Sequence, residues 1–95
     1  MVDVRLNILF DYYGDLLTDK QQEFFKDYYF DNLTLQEIAD NNGISRNAVH
    51  KTLNIINEKL EYYESKLRLY EKSEQIKEII KDLDEEIKES INDLI

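Results

Sequence analysis

Residues 45–57 read SRNAVHKTLNIIN, a stretch without an acid in a chain that carries 21 acids against 12 lysines and arginines. On a helix of 3.6 residues per turn, Arg46, Asn47, His50, Lys51 and Asn54 share one strip, about a third of a turn from the face formed by Val49, Leu53 and Ile56. Such a strip can recognise the edge of a base pair. A guanidinium forks onto guanine, a carboxamide onto adenine, and a hydroxyl or ammonium holds phosphate and fixes register. Arg46, Asn47 and Asn54 suit the base contacts, and Ser45 and Lys51 the phosphate contacts. His50 is placed to tune phosphate binding. The plain alternative is a solvated helix face, because two formal cations are few for neutralising a phosphate backbone.

Other chemistry finds little support. His50 is the only histidine and has no nucleophile or paired acid near it in sequence. There is no cysteine, which excludes disulfides, thiolate chemistry and any His/Cys metal cluster. The acids of DLDEEIKE lie on a charged helical stretch with no oxygen-rich loop, and Gly14 and Gly43 stand alone rather than in a phosphate-cradling loop. No catalytic set, cofactor site or metal site is expected, so the chain does not read as an enzyme.

The elements that position the strip follow from caps and breakers. With no proline and two glycines in 95 residues, long helices are expected and an all-β fold is not. Leu6, Leu9, Phe10, Tyr13 and Leu17 give a first helix ending near Gly14 with a tight corner after it. Thr18 with Gln21 forms a capping box for a second helix, which carries Phe24, Phe25, Tyr28 and Tyr29 and stops near Asp31 and Asn32. Thr34 with Glu37 repeats the device for a short third helix, residues 35–40, with Leu35, Ile38 and Ala39 inward. Asn41, Asn42 and Gly43 then make a turn and Ser45 caps the next helix. Ala39 at the helix crossing, Gly43 in the turn and Val49 locking the second helix, with Ile38 and Ile44 as further core contacts, are the requirements of a helix-turn-helix.

The fourth helix is expected to run to about residue 71 on the stripe Leu53, Ile56, Leu60, Tyr63, Leu67 and Tyr70. A second stripe, Ile76, Ile80, Leu83, Ile87, Ile91 and Leu94, predicts a fifth helix capped by Ser73 and folded back on the fourth. The aromatic pairs, such as Tyr12/Tyr13 and Tyr62/Tyr63, place one member in the core and the other at its margin or at a subunit interface.

Charge qualifies the reading. The net charge is −9, and residues 34–57 hold two acids and two bases while the flanks hold the remaining acids. This charge argues against a broad electrostatic pull on nucleic acid. The N-terminal MVDVRLNILF has no basic stretch before a long apolar run, so neither a leader nor a membrane span is expected.

On the string LTLQEIADNNGIS followed by RNAVHKTL, residues 17–60 resemble the promoter-reading fourth region of bacterial sigma factors. Taking in LFDYYGDLLTDKQ and the charged helical tail, nearly the whole chain resembles the YlxM family of small helix-turn-helix proteins. That resemblance implies a bacterial cytosolic protein, often encoded beside the GTPase of the signal recognition particle and connected with that protein-targeting pathway. Ser45, Arg46, Asn47, His50 and Lys51 match the family's reader segment.

The sequence thus predicts an all-α fold, a helix-turn-helix bundle of about five helices, sigma region-four-like, with two long C-terminal amphipathic helices. Residues 1–95 form one domain, with 18–57 as the helix-turn-helix core and 58–95 as a helical extension for packing or dimerisation. The expected function is a cytoplasmic DNA-binding regulatory protein that acts on double-stranded DNA as a homodimer, with no membrane insertion. The competing expectation is an adaptor whose scaffold binds a protein or ribonucleoprotein of the signal recognition particle pathway.

Overall fold

In the computed structural model, which describes residues 3–95, every α-helix start before residue 60 is built by a local side-chain cap. The Asp3 carboxylate accepts from the Leu6 amide and opens α1, Val4–Tyr13. Thr18 and Gln21 bond each other's backbone amides at the head of α2, Asp19–Tyr29. Thr34 and Glu37 do the same for α3, Leu35–Asn42. Ser45 Oγ accepts from the Ala48 amide to start α4, Arg46–Leu67. Each cap satisfies amides that the first helical turn leaves without partners, which is why these boundaries were readable. The remaining elements are α5, Leu69–Ile80, and α6, Glu85–Asn92, and no strand occurs among the described residues.

α4 is the spine against which α1, α2 and α3 pack. Leu9, Phe25, Ile38, Ala39, Val49, Ile56 and Leu60 are fully buried in one cluster, joined by Tyr13 and Leu17. Burial of each large aliphatic or aromatic side chain stabilises by about 1.5–3 kcal/mol, so this cluster dominates the fold. Phe10 stacks on Phe25 with coplanar rings 4.3 Å apart, tying α1 to α2. Asn57 donates to the Tyr29 hydroxyl at 2.9 Å, tying α2 to α4.

α1 ends at Gly14 as expected, with a right-handed φ of −55°, and the tight corner after it is a 3-10 turn, Gly14–Leu16. Other details depart from the sequence expectations. Ile44 is not a core residue. Its amide joins that of Gly43 on the Ala39 carbonyl, and the turn so closed leaves its side chain 40% exposed. α4 stops at Leu67, because Arg68 adopts φ 55° and breaks the helix without glycine or proline. Tyr70 therefore belongs to α5, where its ring lies 6.1 Å from that of Tyr12 on α1.

Ser73, expected as a cap, is instead buried inside α5 with its hydroxyl unpaired. The tail stripe is also not one helix, since Asp84 caps a separate α6 through the Glu86 amide. α6 runs back along α5, so that Leu94 and Ile95 share a cavity with Leu69, Ser73 and Tyr12. α5 packs on α1 and the end of α4 rather than along α4. The hairpin thus stands at the end of α4 opposite the turn, and the molecule measures 53 × 25 × 18 Å. Its radius of gyration, 16.6 Å, exceeds the roughly 12 Å of a compact chain of this length.

Candidate nucleic-acid interface

The turn between α3 and α4 rests on three residues without freedom to shift. Ile38, Ala39 and Val49 are completely buried, so the two helices meet through a small side chain at the crossing and branched ones beside it. Gly43 takes φ 65°, a left-handed conformation that glycine adopts without the Cβ penalty, and open space surrounds it. The start of α4 is consequently fixed in direction by packing behind it and by the Ser45 cap below it.

Ser45, Arg46, Asn47, His50, Lys51 and Asn54 are all exposed, on the side of α4 away from Val49, Leu53 and Ile56. The Ser45 oxygen is occupied by the Ala48 amide, leaving its hydroxyl proton to donate. Arg46 and Lys51 enter no ion pair among the described residues, although six pairs occur elsewhere on the surface. Two cations held at the start of a rigid helix without carboxylate partners can accept phosphate or base acceptors with no internal contact to break first.

Asn54 differs from the others. It borders a cavity with Asp3, Arg5, Leu6, Asn57, Glu58 and Glu61, so three carboxylates stand near it, of which Glu61 is paired with Arg5. The open, acid-free part of the strip is therefore residues 45–51. Sequence spacing placed Asn54 on the same strip but could not bring Asp3 of α1 to it. On α3, Gln36 donates to Asp40 at 2.8 Å, and Glu37 is engaged in its cap.

A second polar cluster lies at the far end of α4. Glu64 is buried, and its carboxylate accepts from the Tyr13 hydroxyl and from the amides of Tyr70 and Glu71. Arg5 forks onto exposed Glu61 at 2.8 and 2.9 Å, which holds that carboxyl below the usual range, and Arg68 does the same for Glu71. These groups satisfy one another and the start of α5, so their chemistry is structural. No group of three or more His, Cys, Asp or Glu residues among those described could hold a metal ion. No helix among them is long and apolar enough to cross a membrane.

The family model described as "Putative helix-turn-helix protein, YlxM / p13 like", UPF0122, matches residues 2–94. The chain belongs to this family. A UPF0122 protein of Malacoplasma penetrans is 42% identical over 79 residues, which cover 83% of this chain and 74% of the relative. One from Symbiobacterium thermophilum is 48% identical over 65 residues, covering 67% of this chain and 61% of the relative. One from Halalkalibacterium halodurans is 42% identical over 80 residues, covering 84% and 73%. The family description, a helix-turn-helix protein, agrees with the geometry of α3 and α4 and describes no enzyme.

Proposed function

We propose that this protein is a DNA-binding regulator that places the first turns of α4 in the major groove of double-stranded DNA. Arg46 and Asn47 face base edges, Ser45 and Lys51 hold phosphate, His50 stands between them, and Asn54 marks the end of the contact. The observation that carries this reading is the open strip at residues 45–51, free of acids and ion pairs, on a helix held by a helix-turn-helix packing. Residues 18–57 act as the reading unit and 58–95 as the extension that pairs two copies, in the cytoplasm.

The test is selection from a random duplex library followed by titration at two salt concentrations, with the double variant Arg46→Glu/Lys51→Glu as control. Salt-dependent affinity that the double variant loses supports the reading. Binding with no salt dependence, or no enrichment of any duplex, overturns it.

A second reading is favoured by one observation: beyond Asn54 the same side of α4 is acidic, with Glu58 and Glu61, in a chain of net charge −9. In it the scaffold is an adaptor whose acidic surfaces meet a basic protein or ribonucleoprotein of the signal recognition particle pathway. Recovery of that particle by the full chain, unaffected by the double variant, would select this reading over the first.

A further inference from the structure

The α5–α6 hairpin leaves large apolar side chains exposed along its length: Ile79 is 79% exposed, Ile87 52% and Leu94 83%. Its charge is one-sided, with nine carboxylates and four lysines over residues 69–95. Glu86 precedes Ile87 on α6 and Asp93, the C-cap of α6, precedes Leu94, and neither acid enters an ion pair among the described residues.

α4 carries the complementary surface. Ile55 and Tyr62 are 45% and 59% exposed, Lys59 and Lys66 lie beside them, and Glu58 stands at the margin of these four. At 3.6 residues per turn the four side chains fall within about 60° of arc, roughly a third of a turn round from the reading strip. Lys66 Nζ stands 5.7 Å from the centre of the Tyr62 ring, and Lys59 makes a 3.4 Å hydrogen bond to Gln21. Neither lysine is in an ion pair among the described residues. Within one copy the two surfaces do not meet, because α5 leaves the end of α4 to pack on α1 and the molecule is drawn out to 53 Å.

We infer that a second copy of this chain covers both surfaces by reciprocal exchange, the acidic hairpin of each copy lying on the Ile55, Lys59, Tyr62 and Lys66 stripe of the other. Around a two-fold axis every such contact occurs twice. A standard interface of about 1,600 Å² is then reached when each of the four faces buries about 400 Å². Apolar side chains supply the contact and opposite charges set its register and orientation. The strip at residues 45–51 remains free on both copies. This inference rests on the pairing of copies in the proposed function, and not on DNA reading.

The experiment is sedimentation equilibrium of the full chain between about 1 and 100 μM, the range in which an interface of this size is measurable. The samples are the wild type, Lys59→Glu/Lys66→Glu, Glu86→Lys/Asp93→Lys, an equimolar mixture of the two variants, and the chain carrying all four changes. Circular dichroism reports whether helix content is kept, and Ile55→Glu is a further disruption at an exposed position. The wild type is expected to be a dimer. Each two-residue variant is expected to dissociate at least tenfold more readily, and the mixture and the fourfold variant to recover the dimer. A wild type that stays monomeric overturns the pairing. A dimer indifferent to both variants, weakened by the hairpin changes alone, or not recovered in the mixture overturns the exchange. DNA affinity is not read, so none of these outcomes bears on the reading strip.

Discussion

Tyr13 and Glu64, 51 positions apart in sequence, share a buried hydrogen bond of 2.5 Å that closes the start of α5. The Tyr13 oxygen also accepts from the Leu69 amide at 3.1 Å, and Glu64 accepts from Tyr70 at 3.1 Å and Glu71 at 3.0 Å. Three unpaired amides of one helix are thus satisfied by side chains from two others. Glu64→Gln replaces one accepting oxygen by a donor facing an amide, and Tyr13→Phe leaves both Leu69 and Glu64 short of a partner. Each is expected to lower stability by about 1–3 kcal/mol, the range for leaving buried polar groups unmet. In urea unfolding the double variant should lose less than the sum of the two, by at least about 0.5 kcal/mol. Additive losses would mean that the two side chains do not act together.

The same contact sets a response to base. Burial first, and then the hydrogen bond to the Glu64 carboxylate, raise the Tyr13 hydroxyl above its ordinary value of 10.0. Burial raises Tyr29 as well. A raised folded-state value means that the neutral form is favoured by folding, so this stability is complete below the unfolded value near pH 10 and is lost as pH climbs through the folded one. Unfolding midpoints measured from about pH 8 to about pH 11 should fall above pH 10 in the wild type and fall less steeply in Tyr13→Phe. Equal slopes would detach Tyr13 from the effect.

Gly14→Ala sets two effects against each other. Gly14 is helical in φ, and alanine at a compatible site gains about 0.4–1 kcal/mol by restricting the unfolded chain. The added Cβ, however, would stand 3.1–3.2 Å from the Phe10 ring, which is stacked on Phe25. Overpacking of a core costs about 1–3 kcal/mol, so packing wins and the thermal midpoint is expected to drop. A rise would show that the Phe10 ring yields easily.

Gly43→Ala and Arg68→Gly should move stability in opposite directions. Both positions are left-handed, with φ of 65° and 55°. Alanine at 43 meets no neighbour, so its whole effect is the backbone penalty of about 1–2 kcal/mol. Glycine at 68 removes that penalty from an exposed residue and gives up only a surface pair with Glu71. Chemical denaturation of the two variants against wild type checks the signs.

What the sequence disclosed and what it hid divide along the range of the interactions. The starts at Thr18, Thr34 and Ser45 depend on a side chain and an amide three residues away, and both are visible in one short window. The restart after Arg68 depends on Tyr13, which reaches the Leu69 amide and Glu64 from α1, and no glycine or proline marks the break. One signal was present: Glu64 is a charged residue where the Leu53, Ile56, Leu60 face would continue, and a charge in that place needs buried partners. The strip at 45–51 was legible because periodicity alone defines it. Glu58 and Glu61 follow Asn54 on the same side of α4, but bringing Asp3 and Arg5 to it needed the crossing of α1 over α4.

That arrangement makes the proposed DNA contact testable residue by residue. Lys51, free of acids, is placed for phosphate, so Lys51→Ala should weaken all duplexes alike and reduce the dependence of log affinity on log salt by about 1. Arg46, placed for a base edge, should on change to alanine lose roughly ten- to a hundredfold on the selected site and relax preference at one base pair. Asn54→Ala should change little, because Asp3 and Glu58 near it repel phosphate while Arg5 is engaged by Glu61. By the same argument Glu58→Gln should tighten binding, most at low salt, where the screening length is greatest. Tight dependence on Asn54 together with indifference to Glu58 would place the duplex further along α4 than the open strip, and would shift the proposed contact toward α1.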